Sequence, residues 1–173
     1  LKRGGHPDAS DATAGVTLLA QACRVRDTTL AKNLLRAGAS PNKKVTNDVG
    51  CTALAVSATM GDESTMALLL ERGAEINVCD PHGWTPLMHA IQNSQEGAAR
   101  MLIKAGADHS VRGLPFPDGT RGFIAVELAE QKQLRTSVRL LSGRTCYGCQ
   151  AAEVPGGPSF LVCEQCQEEC VGT

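Results

Sequence analysis

The sequence predicts an all-α solenoid of about four helix-turn-helix repeats with β-hairpin loops between them, followed by a small cysteine-rich module. Three observations carry this. Gly50-Cys51-Thr52-Ala53-Leu54 and Gly83-Trp84-Thr85-Pro86-Leu87 begin similar segments, and a fixed period of about 33 residues signals a stacked repeat. Only three Phe, one Tyr and one Trp are present, so the core is aliphatic and suits closely packed helices. Five of the eight cysteines fall between Cys146 and Cys170, which sets the end of the chain apart.

Each repeat closes as it opens, by a shared motif. Leu69-Leu70-Glu71-Arg72-Gly73-Ala74-Glu75-Ile76-Asn77 corresponds to Leu102-Ile103-Lys104-Ala105-Gly106-Ala107-Asp108 and to Leu34-Leu35-Arg36-Ala37-Gly38-Ala39. An earlier opening lies at Gly15-Val16-Thr17-Leu18-Leu19, and a weaker one runs from Gly122-Phe123-Ile124-Ala125-Val126 to Leu140-Leu141-Ser142-Gly143. Between opening and closing motifs the pattern predicts two helices, clearest over Thr52 to Met60 and Glu63 to Arg72, broken at Gly61-Asp62. The opening Thr is placed to cap the first helix, and Pro86 fits a first helical turn, where a missing N–H costs nothing. Gly38, Gly73 and Gly106 stand where a second helix ends in a left-handed residue. The intervals from Gly15 to Gly50 and from Gly83 to Gly122 are longer than that from Gly50 to Gly83. The extra length falls on the loop side, with Leu114-Pro115-Phe116-Pro117-Asp118-Gly119 in the longest insertion.

Asp80-Pro81-His82-Gly83-Trp84-Thr85-Pro86-Leu87 and the recurrent Leu-Leu-x-x-Gly-Ala endings resemble the ankyrin-repeat family over residues 15–143. Met88 stands where that family has His, with His89 one position late, and the first and fourth repeats lack Thr-Pro. The resemblance implies an ankyrin-repeat solenoid with repeats at about 15–49, 50–82, 83–121 and 122–143. Residues 1–14 are expected to be a disordered or capping segment, and 144–173 an incomplete cysteine-rich zinc finger. It also implies a concave surface of loop tips and inner helices that takes a partner protein. In that register Asp48, Val49, Cys51, Pro81, His82 and Trp84 face outward on the loops, Met60 and Asn93 end inner helices, and Phe116 rides the longest insertion. Trp84 stands out because an exposed indole offers a large contact area. The alternative is that it packs on the neighbouring loop. His82, His89 and His109 follow the repeat spacing and read as solvated surface groups; Cys23 reads as core, and Cys51 and Cys79 as exposed.

After Gly143 come Cys146-Tyr147-Gly148-Cys149 and Cys163-Glu164-Gln165-Cys166. Two CxxC turns supply the four thiolates of a closed, structural zinc site, and a segment this short and polar depends on such an ion to fold. Redox dithiols or disulfides are the competing readings, the first lacking its strand-helix context and the second requiring a secreted chain. Cys170 is a possible fifth ligand. With the ankyrin repeats, this pattern resembles the opening of a MYND finger, and that resemblance implies protein interaction, often with a proline-rich peptide. Glu169 before Cys170 departs from the aromatic usual there and the spacing is shorter. A single site would use Cys146, Cys149, Cys163 and Cys166; a cross-braced finger would divide them between two ions.

Seventeen basic and eighteen acidic side chains give a formal net charge of −1, which supplies no general attraction to nucleic acid or an anionic membrane. The cysteine-rich end is acidic. No run of about 18 apolar residues is present to span a bilayer. Neither a phosphate loop, nor a nucleophile elbow, nor an HExxH motif is found, so the chain is expected to be a binding module, not an enzyme. Its expected place is intracellular, cytoplasmic or nuclear. An opening on Leu1 suggests a piece of a longer protein, and the alternative function is a non-catalytic targeting or regulatory segment of a larger enzyme such as a methyltransferase or ubiquitin ligase.

Overall fold

A computed structural model describes residue 8, residues 15–45, 50–115 and 122–141, and the backbone of Phe160–Val162 and Glu169–Val171. Four helix pairs make up the array: α1 (Leu18–Arg24) with α2 (Thr28–Arg36), α3 (Ala53–Met60) with α4 (Glu63–Glu71), α5 (Pro86–Gln92) with α6 (Glu96–Lys104), and α7 (Ala125–Gln131) with α8 (Arg135–Leu141). The odd-numbered helices stack as one row and the even-numbered ones as a second. No described helix is long and apolar enough to cross a membrane.

Local sequence explains where the helices start. Thr17, Thr52 and Thr85 accept the amides of Ala20, Ala55 and Met88 at 3.1, 3.4 and 3.3 Å, satisfying one otherwise unpaired N–H each. Pro86 follows at the first helical position of α5. In the fourth repeat Ile124 has no oxygen to offer, and the Glu127 carboxylate instead accepts the Ile124 amide at 3.0 Å. Asp27 and Asp62 cap α2 and α4 in the same way as the threonines cap the inner row. Gly38, Gly73 and Gly106 adopt φ of 93°, 81° and 86°, the left-handed turn that ends each second helix.

One continuous core runs through the stack. Leu19, Leu54, Leu87 and Leu128 from the inner helices and Leu34, Leu69 and Leu102 from the outer ones are at most 2% exposed. Alanines at 22, 58, 90, 98, 99 and 129 let the rows approach closely and are likewise buried.

The β-hairpins expected in the loops are not seen as ladders among the described residues. In the described residues each inter-repeat link holds turns and one closing backbone bond, with no strand ladder: Val45 N–H to Cys51 O, Asp80 N–H to Trp84 O, and Gly113 N–H to Phe123 O, each at 3.0 Å. The middle link shows why. Only a turn fits between Asp80 and Trp84, Pro81 has no N–H, and the Asp80 carboxylate already takes the amides of His82 and Trp84. Every closing donor lies at the same distance along the chain from its helix-ending glycine: Val45 from Gly38, Asp80 from Gly73, and Gly113 from Gly106. The stretch from donor to acceptor is what varies, shortest in the middle link and longest in the third, and it varies as the intervals between repeat openings do. Both insertions therefore fall, in sequence, between the closing donor and its acceptor.

Beyond the array, β1 (Phe160–Val162) pairs antiparallel with β2 (Glu169–Val171), Leu161 opposite Cys170.

Candidate functional site

Inner helices and loops line a half-open cavity of about 260 Å³. The first repeat contributes Val16, Ala20 and Arg24; the first link adds Val45 and Cys51; α3 adds Val56, Thr59 and Met60; and α5 adds His89. The wall is thus mostly aliphatic, with Arg24 and His89 as its basic groups. Val56 and His89, which occupy one position in successive repeats, both line it.

Beneath it lies a polar cluster. Asp80 Oδ2 stands 3.1 Å from His89 Nε2, while its Oδ1 accepts the amides of His82 and Trp84 at 2.8 and 2.9 Å. Cys51 Sγ faces the same His89 nitrogen at 3.8 Å. Burial lowers the His89 pKa below its ordinary 6.5, against the opposing pull of the Asp80 charge and hydrogen bond. The Cys51 thiol is pushed up to about 11, first by burial and then by Asp80, so it is a protonated thiol at neutral pH. One ligand atom from each of Cys51, Asp80 and His89 lies within 4.8 Å of the others, a spacing that could hold a metal ion. The carboxylate, however, is already engaged in organising the loop: it fixes the turn and orients the imidazole.

The residues singled out from sequence fare differently. Met60 lines the cavity and is half-buried. Pro81, His82 and Asn93 are exposed or partly so, clear of the core. Cys51 is 4% exposed and does not face outward, because its position turns in beneath Val45 and α5. Trp84 is half-buried, not a free indole: its ring lies against Gly113 of the next link and 5.6 Å from the His89 ring. His89 is likewise half-buried and bonded to Asp80, correcting its reading as a solvated group. Cys23 is core, with burial raising its pKa to about 12. Cys79 is intermediate in exposure. Asp48, Val49, Phe116, Cys146, Cys149, Cys163 and Cys166 lie outside the described residues, and Cys170 is described in its backbone alone.

Sequence reasoning missed Val16, Ala20, Arg24, Val45 and Val56. Only Val56 carried a signal, sharing its repeat position with His89; the others come together from separate elements.

A family model described as ankyrin repeats in three copies matches residues 13–112. Among curated proteins, the chain is 35% identical over 108 residues to the B-cell lymphoma 3 protein homolog of Mus musculus, covering 61% of this chain and 24% of that one. It is 33% identical over 112 residues to a putative ankyrin repeat protein of Rickettsia bellii, covering 62% and 32%. Identity is 40% over 62 residues with the ADP-ribosylation factor GTPase-activating protein AGD4 of Arabidopsis thaliana, covering 36% and 8%. The chain spans less than a third of the length of each of these relatives. With the matched repeats extending over more than half its length, the chain belongs to the ankyrin-repeat family.

Proposed function

We propose that the chain binds a partner protein through the groove formed by α1, α3, α5 and the first link, and that the groove receives an apolar side chain flanked by an acidic one. The observation that carries this reading is the cavity itself. It is lined by Val16, Val45, Val56 and Met60, and by Arg24, whose guanidinium donates to Gln21 Oε1 at 2.6 Å and keeps further N–H groups for a partner carboxylate. Apolar pockets with a few placed polar groups suit side-chain capture, and a shallow groove between repeats suits a peptide segment better than a small substrate. His82 and Asn93 offer polar contacts beyond it, and Pro81 an apolar one. Peptides selected from a display library against the full chain test this: binding drops at least tenfold in Val56→Asp and weakens in Arg24→Glu, with helical content unchanged. Equal binding by both variants excludes this groove.

The cysteine-rich end is a second interaction element in this reading. Thiolates of Cys146, Cys149, Cys163 and Cys166 fit zinc by donor type and spacing, and the β1–β2 ladder brackets the segment that contains Cys163 and Cys166. Zinc there is structural and supplies folding energy, Cys170 is its possible further ligand, and a proline-rich peptide is the class of partner that the MYND resemblance suggests. Metal analysis under reducing conditions should return about one zinc per chain, lost in Cys163→Ser, Cys166→Ser while helical content persists. No zinc in the parent chain would exclude it. The likeness to the Arabidopsis GTPase-activating protein supports a second reading, in which the array is the non-catalytic targeting segment of a larger enzyme.

A further inference from the structure

One hydrogen bond recurs along the stack. Asn42 Oδ1 accepts the Glu75 amide at 2.8 Å, and Asn77 Oδ1 accepts the Asp108 amide at 2.9 Å. Each acceptor lies four residues beyond the left-handed glycine of its own repeat, and each donor two beyond that of the next. The bond therefore ties the end of one repeat to the end of its successor. Ser40, two residues beyond Gly38, makes the same bond, and its acceptor is Asp8 Oδ1 at 2.7 Å. Asp8 thus does for the first repeat what Asn42 and Asn77 do for the second and third.

The sequence around Asp8 matches that role. Leu1-Lys2-Arg3-Gly4-Gly5-His6-Pro7-Asp8 aligns without a gap on Leu35-Arg36-Ala37-Gly38-Ala39-Ser40-Pro41-Asn42 and on Leu70-Glu71-Arg72-Gly73-Ala74-Glu75-Ile76-Asn77. The interval from Gly4 to Gly38 falls between those from Gly38 to Gly73 and from Gly73 to Gly106, so Gly4 keeps the spacing of the repeat endings.

Burial gives independent support. Leu18 corresponds to Ala53 and Ala125, which are 2% and 1% exposed because the preceding repeat covers them, yet Leu18 is 45% exposed. Leu30 corresponds to Thr65, Ala98 and Ser137, at 0%, 1% and 1%, yet is 42% exposed. The covering is visible for Thr65, whose hydroxyl meets that of Thr28 at 3.0 Å. A terminal repeat needs a polar outer face, and two leucines are the opposite.

We infer that Leu1–Asp8 are the closing segment of a further ankyrin repeat, and that the α1–α2 face carrying Leu18 and Leu30 is the surface on which that repeat packs. The inference rests on the repeat geometry and not on the partner-binding reading. It lengthens the inner surface beyond Val16 and Arg24, so that the groove lies within the array and not at its end.

The test is to join an idealised ankyrin repeat directly before Leu1 of the full chain, so that its second helix runs into Leu1-Lys2-Arg3-Gly4. A control carries two glycines inserted after Gly5, which moves Asp8 out of register. The in-register chain should unfold in urea in one transition with a higher midpoint and a steeper denaturant dependence, and exchange of the α1 and α2 amides should slow at least tenfold relative to the control. Leu18→Lys, Leu30→Lys should leave the unextended chain folded by circular dichroism and abolish that protection in the extended one. Protection that is absent in register, equal in the control, or retained in the double lysine variant would overturn the inference.

Discussion

His89 Nε2 and Asp80 Oδ2 stand 3.1 Å apart across the junction of the second link with α5, and the same carboxylate holds the amides of His82 and Trp84 through its other oxygen. A single acidic side chain thereby fixes the turn and the imidazole on the groove. Its removal in Asp80→Ala should cost about 3 kcal/mol, since three bonds to a nearly buried carboxylate are lost together. Urea unfolding measures this.

The pH dependence follows from the lowered His89 pKa. A base whose folded value lies below its unfolded 6.5 leaves the unfolded chain binding more protons as pH falls through that range. The His89 contribution to stability is therefore complete above pH 6.5 and declines below it, towards the lowered folded value. His89→Gln should lose less stability than the parent between about pH 7 and pH 5. Equal losses in the two chains would show that imidazole burial has no such effect.

Core and cap positions are separable by size of effect. Leu87→Ala should cost roughly 3 kcal/mol because Leu87 is fully buried among well-packed neighbours. Thr85→Ala should cost about 1–2 kcal/mol, removing the bond to the Met88 amide from a buried cap. Met60→Ala, half-buried at the cavity, should cost less than either and show its effect in binding. Chemical denaturation of the three variants gives the order.

Gly113 offers a spectroscopic test. A methyl group there would come within 3.0 Å of Trp84 Cδ1 and Nε1, closer than side chains normally pack. Gly113→Ala should therefore shift the fluorescence of the one tryptophan and destabilise the array by about 1–3 kcal/mol. An unchanged emission spectrum would mean that the indole is not held against this link.

Thiol reactivity separates the cysteines of the array. Cys23 and Cys51 are buried, with pKa values of about 12 and 11, whereas Cys79 is partly exposed. Brief alkylation at mildly alkaline pH followed by peptide mapping should label Cys79 well before the other two. Early labelling of Cys51 would place its sulfur at the surface.

Much of this architecture was legible in the sequence because the repeat carries its own punctuation. Thr52 and Thr85, Gly61-Asp62, Gly73 and Gly106 mark helix ends by local chemistry, and the structure uses each as expected. Side-chain direction at the loops was harder to read. Cys51, Trp84 and Phe123 share one position, yet Cys51 is buried and Trp84 half-buried, because the neighbouring link, not the local sequence, decides what covers them. His89 was misread for a related reason, since its partner Asp80 belongs to the preceding loop and no periodicity announces that bond. The groove went unseen because it arises only when Val16, Val45, Val56 and His89 are brought together from three repeats.

Site-specific photo-crosslinking reports whether the apolar groove takes a partner side chain. A photoreactive phenylalanine analogue replaces Met60 in the groove or Lys32 on the exposed outer helix, and a display-selected peptide is irradiated with each. A crosslink should form from position 60, abolished by Val56→Asp, and none from position 32. Crosslinking from position 32 alone, or from position 60 unaffected by Val56→Asp, would contradict it.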